Sequence, residues 1–191
     1  MTSYSKDRVA YSSVPGASEL FTPEFLDYLT FVHDRFSDDI EQLLNKRVRV
    51  LKEAHAGHYP GHSINREINT SGWSVPPVPN DLKKPGIEIS GPVSRTSMFI
   101  NALNPGPDGS RAEGDLDDDE DSSGHLLSDT ITSAHNRLGA VNRTLSFYNA
   151  RRDRHYKIQE GEIPFLMHRE RGLHLYESEV TIDGKPVSAA L

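Results

Sequence analysis

The chain has 191 residues, with 21 Lys or Arg against 28 Asp or Glu and a formal net charge of -7. An acidic balance of this kind gives no general attraction to nucleic acid or to an anionic membrane surface, so neither is an expected partner. The absence of cysteine excludes disulfides, thiolate nucleophiles and Cys-ligated zinc, and a hydrophobic share of 35% allows one domain, or one small domain plus part of another, with much of the chain solvated.

In chain order, residues 1–20 are polar, carry a Pro15-Gly16 step, and read as a loose, disordered tail. They lack the apolar core of a secretory signal and the arginines of a mitochondrial presequence. The two sequons, at Asn69-Thr70-Ser71 and Asn142-Arg143-Thr144, then read as accidental. No apolar run approaches the roughly 18 residues of a membrane span.

A helix start follows. Thr22 is placed to cap, Pro23 suits the first helical position, and Phe21 and Leu26 are spaced as a hydrophobic staple. Leu29, Val32, Phe36, Ile40, Leu43, Leu44 and Leu51 recur mostly at steps of three and four. That period predicts one long amphipathic helix ending by Gly57, with a break at Ser37 as an alternative. Residues 55–82 read as an irregular connector, with Pro76, Pro77 and Pro79 enforcing extended backbone.

Further on, Ile87 and Ile89 alternate with polar residues, and Met98–Leu103 reads as a buried strand. Residues 105–125 read as a polar, acidic loop. Its centre, Asp115-Leu116-Asp117-Asp118-Asp119-Glu120-Asp121, repels itself and is not expected to form a buried strand. Leu126–Leu145 reads as a second helix, Ile163–Met167 as a strand, and Val180–Val187 as a hairpin turning at Asp183-Gly184.

Chemistry-bearing patterns are few. His55, His58 and His62 have a spacing that would admit a metal, but no acid or cysteine stands among them, and a solvated loop is the plainer reading. Read as a calcium loop opening at Asp115, the acidic run puts Glu120 and Leu126 where glycine and glutamate belong. Arg151, Arg152 and Arg154 beside Asp153 read as a surface turn. No GxGxxG, Walker A or HExxH pattern occurs. The segment His168-Arg169-Glu170-Arg171-Gly172-Leu173-His174 differs: charged residues leave an apolar strand and enter a glycine turn, as a site at the mouth of a barrel requires.

Four blocks, in order, carry a resemblance. They are Leu20-Phe21-Thr22-Pro23-Glu24 with Leu43-Leu44; Trp73-Ser74-Val75 with Pro77-Val78-Pro79-Asn80-Asp81-Leu82; Ile87-Glu88-Ile89-Ser90-Gly91-Pro92-Val93 with Ile100-Asn101-Ala102-Leu103-Asn104; and Arg169-Glu170-Arg171-Gly172-Leu173-His174-Leu175. Together they resemble the N-terminal portion of malate synthase of the shorter, A-like type, over nearly all of residues 20–191. The resemblance implies an α/β fold: an N-terminal helical clasp and Pro-rich connector over 21–97, then over 98–191 the first elements of an incomplete (β/α)8 TIM barrel. It implies an acyltransferase of the glyoxylate cycle that condenses acetyl-CoA with glyoxylate and water to give malate and CoA. Mg2+ is the implied cofactor, and peroxisomes or glyoxysomes, alternatively the cytoplasm, the implied location.

Arg169 matches the family's catalytic arginine, and a guanidinium that keeps its proton suits electrostatic stabilisation of a developing oxyanion. Two departures stand out. Where the family has an apolar strand ending in Asp-Phe-Glu-Asp, Asp118, Glu120 and Asp121 keep the acids, Asp119 replaces the phenylalanine, and the apolar lead-in is gone. The family's metal ligands, catalytic aspartate and most of its acetyl-CoA pocket lie beyond the point matching Leu191, and a full barrel takes about 200 residues or more. The expectation is therefore a truncated, inactive fragment with no metal ligands of its own. A non-catalytic module that docks on a full-length paralogue through the long helix and acidic loop is the alternative. The end Ser188-Ala189-Ala190-Leu191 lacks the basic residue of a peroxisomal signal.

Overall fold

A computed structural model describes residues 6–62, 72–83 and 86–191. The long helix packs on one of two three-stranded sheets, a second helix bridges the two, and a small hairpin stands beside them. The sequon at Asn69 lies outside the described residues.

The first sheet is antiparallel. Strand β1 (Val9–Tyr11) pairs with β7 (Tyr176–Ile182), and β7 turns back into β8 (Lys185–Ser188). The turn is the expected one: Asp183 and Gly184 take φ of 51° and 76°, the two positive angles of a type I′ hairpin. The segment expected to be a loose tail is thus held from residue 6 onward. Its anchor is Arg8, whose guanidinium reaches Asp34 on the long helix at 2.8 Å and Asp183 in the hairpin turn at 2.6 Å. A tail reading failed because β1 has only three residues and its partner lies some 170 positions away.

After the short helix α1 (Ala17–Leu20), α2 (Pro23–His55) runs 33 residues without interruption. Thr22 caps it by accepting the Phe25 N–H at 3.3 Å, and Pro23 opens it. Phe21 stacks on Phe25 at 5.5 Å between ring centroids. Ser37 does not break the helix, because its hydroxyl donates back to the His33 carbonyl at 2.6 Å. The stripe is buried only at its start: Leu26, Leu29, Thr30 and Ile40 are covered, whereas Leu43, Val48 and Leu51 are exposed. Residues 72–79 form no helix or strand, and one 3-10 turn follows at Asn80–Leu82.

The second sheet is parallel, with β3 (Gly114–Asp118) between β2 (Glu88–Gly91) and β6 (Phe165–Arg169). Helix α3 (Thr96–Leu103) connects β2 to β3, and α4 (Leu127–Val141) leads from β3 toward β6. Two expectations are corrected here. Met98–Leu103 is helical: Phe99, Ile100 and Leu103 turn inward at helical spacing while Met98 is 56% exposed, a pattern that a short apolar run does not separate from a strand. The acidic run does form a buried strand, because arginines from α4 and β6 meet its carboxylates.

The antiparallel sheet, α2 and the start of α4 enclose one core, around Leu29, Leu127, Ile131, Val180 and Ile182. The other, around Val93, Phe99, Leu103 and Ala140, lies against the parallel sheet. Helix α4 enters both, so it ties the two sheets together. The Glu179 carboxylate caps its first turn by accepting the Leu127 N–H at 2.9 Å. Arg151 and Arg152 sit in the exposed turn between β4 (Ser146–Asn149) and β5 (Arg154–Lys157), as a surface turn requires.

Candidate functional site

Successive residues of a strand face opposite sides of the sheet, so the run of acids in β3 divides in two. Asp115 and Asp117 face the helices. Asp118 faces the other side, at the carboxyl end of the strand, and its register partner across the ladder is Arg169, the last residue of β6. Carboxyl ends of parallel strands are where α/β sheets place their ligands, because loops there converge without closing the face.

Arg169 is the centre of this edge. Its Nη1 donates to both Asp118 oxygens at 3.0 and 3.1 Å and to Asp121 at 2.5 Å, and its Nη2 donates to Glu120 at 3.0 Å. Glu120 turns its second oxygen to the Gly172 N–H at 2.6 Å. A side chain at Gly172 would place its Cβ 2.9 Å from that oxygen and 2.7 Å from the His174 ring, so it would have to push one or both groups aside. Asp118 in turn accepts the backbone N–H groups of Glu120 and Asp121, each at 3.0 Å. Burial pushes the Asp118 carboxyl upward, but those two amides and the Arg169 guanidinium outweigh it and hold the group below the usual aspartate range. Asp121, then Asp118 and Glu120, favour the charged arginine further. A fixed, permanently cationic fork that is 39% exposed therefore faces solvent from a carboxylate cradle.

Arg171, which faces away from this edge, plays a different part. It is buried at 6% and pairs with Glu177 of β7 at 2.8 Å, joining the turn after β6 to the antiparallel sheet.

On the helix side of β3, Arg137 from α4 bridges Asp117 at 2.5 Å and Asp119 at 3.0 Å, and His168 of β6 lies 3.2 Å from the same Asp117 oxygen. The hydrogen bond to Asp117 raises the His168 pKa against the opposing effect of burial. Asp115 has no such help. It lies 3% exposed beside Ile89, Met98, Phe99 and Ala102 at a cavity of about 100 Å³, and burial followed by repulsion from Asp117 lifts its pKa to about 6.

Sequence reasoning identified Arg169 and the acids at 118, 120 and 121, and the structure brings these together. It missed Arg137 and His168 as their counterparts on the opposite face. The signal was available in the period-two alternation of the acids, which sends every second carboxylate into the helix layer. His55, His58 and His62 form no ligand group; among the described residues the group with metal-ligand spacing is Asp117, Asp119 and His168. The acidic run is also not the open loop that an EF-hand-type calcium site uses: residues 114–118 are a strand whose acids hold arginines.

Known proteins bear on the chain as a whole. Over 179 residues the chain is 34% identical to the malate synthase of Myxococcus xanthus, covering 93% of this chain and 31% of that protein. It is 32% identical to the glyoxysomal malate synthase of Ricinus communis, across 91% of this chain and 30% of the relative. The chain is homologous to the N-terminal portion of malate synthase. A bifunctional glyoxylate cycle protein of Caenorhabditis elegans matches 94% of the chain at 30% identity. The chain spans under a third of the length of the malate synthases it matches. No family model matches it.

Proposed function

We propose that this chain carries the arginine edge of a malate synthase, the acyltransferase that joins acetyl-CoA to glyoxylate and, with water, yields malate and CoA. The observation that supports this reading most is Arg169 held by Asp118, Glu120 and Asp121 at the carboxyl ends of two neighbouring parallel strands. The sequential β2-α3-β3-α4-β6 order is also how a (β/α)8 barrel begins.

The chemistry asks for a cation where an enolate or alkoxide oxygen develops charge. Arg169 meets that need. Its fork is oriented before substrate arrives, because three carboxylates and the Gly172 turn fix it. It stabilises negative charge rather than accepting a proton, since its neighbours favour the guanidinium form.

Magnesium is the metal the family implies. The oxygens at this edge are of the right kind, but Asp118, Glu120 and Asp121 already hold Arg169, and a metal there would compete with the cation the reaction needs. The described residues of this edge therefore do not fit as the magnesium site. On this reading the 191 residues do not turn over alone. Purified chain given acetyl-CoA, glyoxylate and Mg2+ is expected to release no CoA above background; steady release would overturn that reading. We place the protein in the peroxisome or glyoxysome, by analogy with its glyoxysomal relatives, and a tagged chain that stays cytosolic would count against it.

A second reading rests on a separate observation. The last turns of α2 present Leu43, Val48 and Leu51 to solvent at 53%, 67% and 57% exposure. A long apolar stripe of this sort suits docking on a partner such as a full-length malate synthase. Leu43→Asp with Leu51→Asp would abolish co-purification on that reading. Leu29 is unsuitable for such a test, because it is 5% exposed in the core.

A further inference from the structure

On the helix-facing side of β3, away from Arg169, three ligand-bearing side chains converge on one point. Oxygens of Asp117 and Asp119 and a ring nitrogen of His168 all lie within 4.8 Å of one another. The point they surround is filled by a single atom, Arg137 Nη1, at 2.5 Å from Asp117, 3.0 Å from Asp119 and 3.3 Å from His168.

Two features show that the guanidinium matches this cluster incompletely. Two aspartates against one arginine leave one formal negative charge, with neutral imidazole, in a place where Asp117 is 3% and Asp119 9% exposed. The second oxygen of Asp117 is also fully buried and has no hydrogen-bond partner. A buried carboxylate oxygen without a donor carries a desolvation cost that neither strand nor helix relieves.

We propose that Asp117, Asp119 and His168 form a binding site for a divalent first-row transition ion, which displaces Arg137. A doubly charged ion neutralises both aspartates, and bidentate coordination engages the orphaned Asp117 oxygen. The spacing fits: ligands at about 2.0 Å around a tetrahedral ion lie roughly 3.3 Å apart, and Asp117 and His168 already stand at 3.2 Å. An imidazole in the donor set favours a first-row ion such as zinc over calcium or magnesium. Arg137 can leave, because its side chain is 26% exposed, and His168, at 41%, lies on the path by which an ion enters.

Calorimetric titration of the purified chain with Co2+ and Zn2+, with the Co2+ ligand-field spectrum as a second readout, tests the proposal. One ion per chain is expected. His168→Ala and Asp119→Asn weaken binding by about tenfold or more, with circular dichroism showing that each variant is folded. Arg137→Met removes the competitor: it binds the ion more tightly than the parent chain, and its lowered melting temperature recovers when Zn2+ is added. The variant His55→Ala/His58→Ala/His62→Ala binds as the parent does. No binding by either the parent or the Arg137→Met chain would overturn the proposal. So would binding that survives His168→Ala but disappears with the three N-terminal histidines.

Discussion

The two faces of β3 hold their carboxylates in different ways. On the open face, Asp118 receives two backbone amides and the fork of Arg169, and its pKa falls below the ordinary range. On the helix face, Asp117 and Asp119 share one nitrogen of Arg137, and Asp115 is lifted to a pKa of about 6. A turn at the strand end supplies N–H donors that a packed helix layer does not. An acidic run is thus compatible with a buried strand when alternate residues find different cations, and the face with fewer donors carries the cost.

The largest effect should come from cutting the weaker arrangement. In metal-free buffer, Arg137→Met leaves Asp117 and Asp119 with no cation but His168, and should cost about 3 kcal/mol in urea unfolding, the lower end for a buried pair because Arg137 itself reaches solvent. A loss within experimental error would mean that the helix face does not depend on this arginine. Asp115→Leu should act in the opposite direction. It removes a carboxyl from apolar surroundings and should stabilise the chain by on the order of 1–2 kcal/mol near pH 7.5, after allowance for solvent screening. The part of the gain that comes from ionisation should vanish below about pH 3, where Asp115 is protonated in both states.

Asp115 and His168 set a pH dependence. The folded pKa of Asp115 is raised from 3.8 to about 6, so its contribution is present below about 3.8 and is lost as pH rises toward 6. The folded pKa of His168 is raised above 6.5, so its contribution is present below 6.5 and is lost as pH climbs through the higher folded value. Stability should therefore decline from mildly acidic to alkaline pH. Replacing both residues, as Asp115→Asn with His168→Gln, should flatten that slope; an unchanged slope would place its origin elsewhere. Arg169→Met should move the melting temperature least, because Asp118 keeps its two amide donors and Arg169 already reaches solvent.

Much of this arrangement was legible in the sequence. Thr22-Pro23 and the spacing of three and four gave α2, Asp183-Gly184 gave the β7–β8 turn, and Arg169 before Gly172 marked the strand end where Asp118, Glu120 and Asp121 gather. What escaped depended on distant partners. Val9–Tyr11 is a strand only because β7 lies beside it, and Gly114–Asp118 only because Arg137 and Arg169 meet its acids. Met98–Leu103 is too short and too apolar for its period to be read. Leu29 and Leu43 look equivalent along the helix, and only the fold shows that one is core and the other surface.

On the proposed reading Arg169 serves catalysis, and the ionic cluster behind it does not. The direct test is CoA release by a hybrid in which this chain replaces the matching segment of the Myxococcus xanthus malate synthase. The account predicts an active hybrid that loses activity about a hundredfold or more with Arg169→Lys, since a point charge does not replace the fork, and stays within a few-fold with Asp115→Leu. A hybrid that releases no CoA, or one that Arg169→Lys leaves at full rate, would contradict it.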